Sequence, residues 1–265
     1  MLILQSCKVG GMADSTSISI ITICKNSSAT IRSAIESVLS QEIDGKLEYI
    51  IVDGASTDDT MDIVRSYGNK ISKSISEPDT GISDAFNKGI ALAGGEIIGI
   101  INSDDFYLPG TLAKIEKYFN EHPEVEVVHA DLELYDGEKF IKRLRPPRYW
   151  WIPWRMILFN HPTTFVRRHV YEKCGLFDMS YRYSHMDFEL FLRWIRAGVE
   201  IIYIPEVLVR MQTGGASGRH IYKGFSENLR ALEAHGFSRT LALLQFFVKH
   251  LVQRILEKVS LFKRF

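Results

Sequence analysis

The sequence predicts an α/β chain, with a mostly parallel sheet flanked by helices and a helical extension at the C-terminal end. Three observations carry this expectation. Short β-rich runs alternate with helical stripes from Ser17 to about residue 131, the signature of parallel strands covered on both faces. At 265 residues and 46% hydrophobic content, the chain has ample apolar material for a core. An apolar run over 97–101 also ends abruptly in Asn102-Ser103-Asp104-Asp105. That places adjacent carboxylates at the C-terminal mouth of a strand, where open α/β sheets bind their ligands.

Taken in order, residues 1–16 read as a loose tail, with Met1 to Gln5 too short an apolar run for a signal peptide. Residues 17–24 (SISIITIC) are a first strand, rich in β-branched side chains. A helix over about 30–40 carries Ile31, Ile35, Val38 and Leu39 on one side. Residues 49–53 (YIIVD) are a second strand, after which Ser56 is placed to cap a helix with Asp58 and Asp59 in its first turn. A weaker strand at 71–76 precedes a helix at 82–93 that stops at Gly94-Gly95. The strand at 97–101, a helix at 111–120 and a strand at 125–129 complete the regular part.

The pattern then changes. Residues 132–160 hold Arg145-Pro146-Pro147-Arg148-Tyr149-Trp150-Trp151 and Pro153-Trp154, with three of the four tryptophans. A strand at 163–167, a helix at 187–197 and a strand at 201–204 follow. One domain over 17–218 is expected, with a helical region at 219–265 after it.

Charge and cysteine content narrow the function. Lys+Arg and Asp+Glu balance at 32 each, so no global field draws nucleic acid. Cys7, Cys24 and Cys174 are odd in number and form no CxxC pair, which argues for a reduced cytoplasmic setting and against disulfides or zinc. No apolar run reaches the length needed to span a bilayer. From Leu241 a stripe runs through Leu244, Val248, Leu251, Ile255, Val259 and Phe262, decorated by Arg239, Lys249, Arg254, Lys258, Lys263 and Arg264. Such a basic amphipathic helix suits peripheral membrane contact through 239–265, with docking on the domain or a second subunit as the alternative.

The polar strand ends carry the candidate chemistry. Oxygen ligands at Asp104 and Asp105 suit Mg²⁺ or Mn²⁺, the ions that escort a diphosphate. Asp53, in Val52-Asp53-Gly54-Ala55-Ser56-Thr57-Asp58-Asp59-Thr60, can accept from a base N–H or a ribose hydroxyl. Asp79, Gly81, Asp84 and Asn87 make a polar entry into the helix at 82–93. Each alone has a plain structural alternative, since acids commonly open turns and cap helices.

Taken together, residues 18–26, 49–60 and 77–105 resemble the family 2 glycosyltransferases of the GT-A (Rossmann-like) fold, over roughly Ser17 to Ser217. The match is an opening strand ending in Asn, then VD-G-STD-T, then a Gly-rich helix entry and a D-x-D-like strand end. The resemblance implies an inverting transfer from a nucleotide-sugar, most commonly a UDP-sugar, to a hydroxyl of a glycan or lipid-linked acceptor in bacterial surface polysaccharide synthesis. It divides the domain into a nucleotide-binding half at 17–131 and an acceptor half at 132–218. It casts Thr22, Ile23 and Cys24 as the backbone edge under the base and Asp53 as the base or ribose contact, with Asp79 beside them. Asp104 becomes the metal ligand, with Asp105 supporting it or touching the ribose. Asn102 stands where the first acid usually is, and offers a carbonyl oxygen without charge.

In Ser184-His185-Met186-Asp187-Phe188-Glu189, the family's E-D element keeps only its Asp, and the resemblance makes Asp187 the catalytic base. A carboxylate there would take the acceptor proton. Glu189 is the second choice. Arg210 to Ser217 resembles the loop that folds over the donor, with Gln212 nearest the place where relatives carry a metal-binding His; His185 and His220 are the substitutes. His161-Pro162-Thr163-Thr164-Phe165 resembles a segment near the acceptor. The Tyr149–Trp154 rings fit an acceptor sugar, and fit a packed core edge equally well.

Two rival functions remain at this level. A nucleotidyltransferase would need a Gly-rich phosphate loop after the first strand, and Cys24-Lys25-Asn26-Ser27-Ser28 has no glycine. A non-catalytic nucleotide- or sugar-binding module is the direction in which Asn102, Met186 and Gln212 depart.

Overall fold

A computed structural model describes residues 16–146, 159–181, 186–214, 221–244 and 247–248. The expectations for 1–15, the Tyr149–Trp154 rings, His185, residues 215–220 and the basic stripe beyond Val248 lie outside these.

Nine strands form one sheet. The first half supplies β1 (Ser17–Cys24), α1 (Ile31–Leu39), β2 (Lys46–Asp53), α2 (Thr60–Ser66), β3 (Lys73–Ser76), α3 (Ile82–Leu92) and β4 (Ile97–Asn102). The second half supplies β5 (Phe106–Tyr107), α4 (Thr111–Glu121), β6 (Val127–Asp136), β7 (Lys139–Leu144), β8 (Phe165–Arg167), α5 (Arg168–Cys174), α6 (Met186–Arg196), β9 (Ile201–Gln212) and α7 (Ile221–Ala234). The sheet order is β3-β2-β1-β4-β8-β6-β9-β5, with β7 paired to the edge of β6.

β1 lies between β2 and β4 and runs parallel to both. A strand paired on both edges and covered on both faces reads as continuously apolar. Ile18, Ile20 and Ile21 are accordingly fully buried. Ile21 faces α3, which approaches closely because residue 89 is glycine: a Cβ there would lie 2.4 Å from the Ile21 methyl. The unbroken run of parallel neighbours belongs to β1–β4. Beyond them β8 is antiparallel to both β4 and β6, β9 is parallel to β6, and β5 is antiparallel to β9.

The differences from expectation have local causes. The strand expected at 125–129 continues to Asp136, turns at Gly137 (φ +59°) and returns as β7. That hairpin is an edge rich in exposed charge, so its apolar alternation is faint in sequence. β9 has 12 residues where four were expected, because Pro205 and Glu206 at a register shift interrupt its apolar run. Ser56 does not cap α2: its hydroxyl donates to Asp53, and α2 begins only at Thr60.

One polar clamp ties the N-terminal strands together. Glu48 on β2 accepts hydrogen bonds from Ser19 Oγ and Gly94 N–H, both at 2.6 Å, and pairs with Lys73 Nζ at 2.7 Å. Burial opposes its ionisation, yet the bonds from Lys73, Ser19 and Gly94 outweigh that and hold its pKa down to about 2. A carboxylate depressed from 4.5 contributes stability that is present above the unfolded value and lost as pH falls through the folded one. Glu48→Gln is therefore expected to lower unfolding stability by about 1.5–3 kcal/mol at pH 7. The deficit should shrink as pH falls from about 4.5 toward 2, as read by urea denaturation across that range.

Candidate active site

Parallel pairing brings the C-terminal ends of β1, β2 and β4 to one edge, with Cys24 opposite Asp53 and Ile23 opposite Asn102. The loops that follow are bonded to one another. Asn26 N–H donates to Ser56 Oγ at 2.7 Å, and Asn26 Oδ1 accepts from Thr57 N–H at 2.8 Å. Ser27 N–H donates to Thr60 Oγ1 at 2.8 Å, and Ser28 N–H to Asp58 Oδ2 at 3.1 Å. Ser103, beyond β4, donates to Ser27 Oγ at 2.9 Å. Asn26 and Ala55 take positive φ, +50° and +58°, a conformation uncommon for residues other than glycine that the bonded framework helps to hold.

Within this framework several sequence expectations change. Thr22 is interior to β1, paired with Ile51 on one side and Ile101 on the other, and its hydroxyl meets Tyr49 OH at 3.0 Å. Both of its backbone edges are therefore taken by neighbouring strands. Cys24 is buried; burial, then the neighbouring Asp53, raises its thiol well above the ordinary range, so it stays a neutral packing group. Asp53 is fully buried too. Its carboxylate accepts from Ser56 N–H at 2.9 Å, Ser76 Oγ at 2.6 Å, Ser56 Oγ and the Cys24 thiol at 3.6 Å. These bonds make Asp53 the group that shapes the turn at Gly54–Thr57. Asp79 does reach this turn. A Cβ on Gly54 would fall 2.2 Å from its Oδ2 and 3.3 Å from Lys25 Cδ, so the glycine lets three loops meet.

The acids after β4 form the polar centre. Asn102 Nδ2 donates to Asp105 Oδ2 at 3.0 Å, and Gln212 N–H, at the end of β9, donates to Asp105 Oδ1 at 3.1 Å. An ionised acid at 102 could not donate, so Asn102 supports a carboxylate that is almost wholly buried. Burial, then the charge of Asp104, pushes Asp105 up to about 7, and burial also raises Asp104. Among the described residues no three acid, His or Cys side chains gather into a metal cage. Mg²⁺ and Mn²⁺ need no such cage, being held by one or two carboxylates together with phosphate oxygens. The half-buried Asp104, its raised proton affinity reflecting an uncompensated charge, suits that mode, with the Asn102 carbonyl within the same turn.

Asp187 sits in the first turn of α6, half-buried, its Oδ1 accepting from Phe188 N–H at 2.8 Å. Glu189 is excluded as an alternative base. It is buried and bound to Arg193 and to His235 Nε2 at 3.1 Å, which ties α6 to the end of α7. Two features escaped the sequence reading. Arg210 on β9 stacks over Tyr135 at 3.6 Å and pairs with Glu138 at 2.9 Å, fixing the β6–β7 turn beside Gln212. Gln212 acts through its backbone N–H, which no side-chain pattern reveals.

A family model described as Glycosyl transferase family 2 matches residues 19–191. A PGL/p-HBAD biosynthesis glycosyltransferase of Mycobacterium bovis is 25% identical over 244 residues, covering 87% of this chain and 91% of that protein. Among solved structures, S. aureus TarS 1-349 in complex with UDP-GlcNAc is similar at TM-score 0.63 and 17% identity, over 85% of this chain and 69% of that one. A mannosyltransferase from Pyrobaculum calidifontis, in complex with GDP-Man and Mn²⁺, is similar at TM-score 0.63 and 18% identity, over 94% and 80%.

The buried Asp105 has a measurable consequence. An acid whose folded pKa lies above its unfolded value of 3.8 costs stability as pH rises through that interval, toward about 7. Asp105→Asn, in EDTA, is expected to be more thermostable than the parent protein at pH 8 and equal to it near pH 4, as read by thermal melts.

Proposed function

The chain belongs to glycosyl transferase family 2, and from that premise we propose an inverting transfer of a sugar from a UDP-sugar to a hydroxyl of a glycan or lipid-linked acceptor. The observation that carries the reading is the meeting at one sheet edge of the bonded loops after β1, β2 and β4, with the acids Asp104 and Asp105 in the last of them. TarS, similar in fold, is solved with UDP-GlcNAc, which supports a nucleotide-sugar donor.

The loop framework at Asn26, Gly54–Thr57 and Asp79 would receive the nucleoside, with Asp53 acting through the turn it shapes. Asp104 would hold Mn²⁺ or Mg²⁺, supported by Asn102 and the buried Asp105. Bound there, the ion supplies positive charge against the diphosphate as it departs. Asp187 would take the proton of the attacking hydroxyl. That oxygen bonds to the anomeric carbon while the bond from carbon to the diphosphate oxygen breaks, its electron pair leaving with the diphosphate. Attack opposite the leaving group inverts the centre.

The acceptor side is proposed to meet a membrane surface. Leu241, Leu243, Leu244, Phe247 and Val248 are exposed apolar side chains at the C-terminal end of the described structure. The basic residues that follow them in sequence match an anionic surface. No helix of the described residues is long and apolar enough to cross a membrane, so the proposed contact is peripheral.

Asp187→Asn is expected to lower turnover by about 10²–10⁴-fold, the range of a lost general base, with nucleotide affinity within about twofold of the parent. Equal turnover would remove Asp187 from its role. Vesicles containing anionic lipid are expected to co-sediment the full chain, and neutral vesicles to leave it in the supernatant. Replacing Leu244 and Phe247 by Ser should abolish that binding.

A further inference from the structure

His161 stands in the short helical turn His161–Thr163, immediately before β8. β8 is antiparallel to β4 with Phe165 opposite Gly99, so this turn lies toward the same end of β4 that leads to Asp104. The turn is fixed from beneath. Asn160 Nδ2 donates to the carbonyls of Ala130 at 2.9 Å and Leu144 at 3.0 Å, and Thr163 Oγ1 donates to that of Ala130 at 2.9 Å.

The imidazole stacks on Phe86 of α3, with centroids 4.9 Å apart, and lies 6.0 Å from the ring of Phe177. Phe177 is anchored in turn, its N–H and carbonyl each bonded to the Asn87 amide at 2.9 Å. Tyr181, in the same segment, accepts through its carbonyl from Ser83 Oγ at 3.1 Å. The turn thus holds the imidazole beyond the C-terminal end of β4, on the side that leads to Asp104, and the charge of Asp187 acts on the ring. Among the described residues neither ring nitrogen has a hydrogen-bond partner, and the half-buried ring keeps part of its surface open to solvent. Burial lowers the ring's proton affinity, and the opposing charge of Asp187 does not reverse this. The ring is thus neutral at pH 7 and offers one donor and one acceptor.

We propose that His161 binds a second hydroxyl of the acceptor, next to the one whose proton Asp187 takes, so that the site selects a vicinal diol of a sugar over a lone alcohol. This rests on the reading of Asp187 as the base. The two polar groups have complementary tasks. The carboxylate accepts the proton that leaves the attacking oxygen, and the imidazole fixes the neighbouring hydroxyl and with it the orientation of the acceptor ring.

The test uses the full chain with Mn²⁺ and whichever of UDP-GlcNAc, GDP-mannose or dTDP-rhamnose it consumes. Hydrolysis by water is compared with transfer to n-octyl β-D-glucopyranoside, the corresponding galactoside and mannoside, and n-octanol. His161→Phe keeps the stack on Phe86 and removes both nitrogens. The ratio of glycoside transfer to hydrolysis is expected to fall about tenfold, the worth of one hydrogen bond, with His161→Gln recovering part of it. Should His161→Phe fail to fold, His161→Gln alone is expected to lower the ratio about threefold. An unchanged ratio in the folded variant overturns the proposal. So does a parent protein that glycosylates octanol as readily as the glycosides, or that hydrolyses donor and glycosylates none of them. A parent protein that neither binds nor consumes any of the donors contradicts the proposed donor chemistry itself, a separate failure.

Discussion

The parallel pairing of β1 with β2 on one side and β4 on the other is the constraint on which the molecule depends. Parallel strands point their C-terminal ends the same way, so three chemically unrelated loops open at one edge. The pairing is secured by a strand of fully buried isoleucines, by a glycine that admits α3 against Ile21, and by the Glu48 clamp. Positive φ at Asn26 and Ala55 is held by loops that bond to each other across that edge. The site is thus a property of the sheet rather than of any single loop.

The polar centre trades stability for charge. Asp105 is almost fully buried, and its raised pKa marks a carboxylate the fold disfavours in ionised form. Asn102 fits this setting better than an acid would, since it donates a hydrogen bond where a second carboxylate would repel. Its departure from the family pattern therefore has a structural cause and is no sign of a decayed site. Burial of charge without full compensation is common where a cation or substrate completes the arrangement.

The first half was legible in the sequence because its strands are buried on both faces and its helices carry clean stripes. The order of motifs located Asp104, Asp105, Asp79 and Asp187 at strand ends and helix starts, where the fold has them. The β6–β7 hairpin was not legible, since an exposed, charged edge has weak periodicity. Thr22 and Asp53 show what a sequence leaves out. Sequence gives position along a strand, whereas accessibility depends on neighbours: β4 closes the edge at Thr22, and Ser56 and Ser76 occupy Asp53. For His161 the sequence offered only a resemblance of its segment, because its setting is made by α3, β4 and the Phe177 segment.

The most direct test of the account is calorimetric titration of the purified chain with UDP, with Mn²⁺ present and again in EDTA. Micromolar-range binding that requires the ion is the result expected of a donor site completed at Asp104. Absence of binding by UDP, GDP and dTDP alike, in a folded protein with Mn²⁺ present, would contradict it.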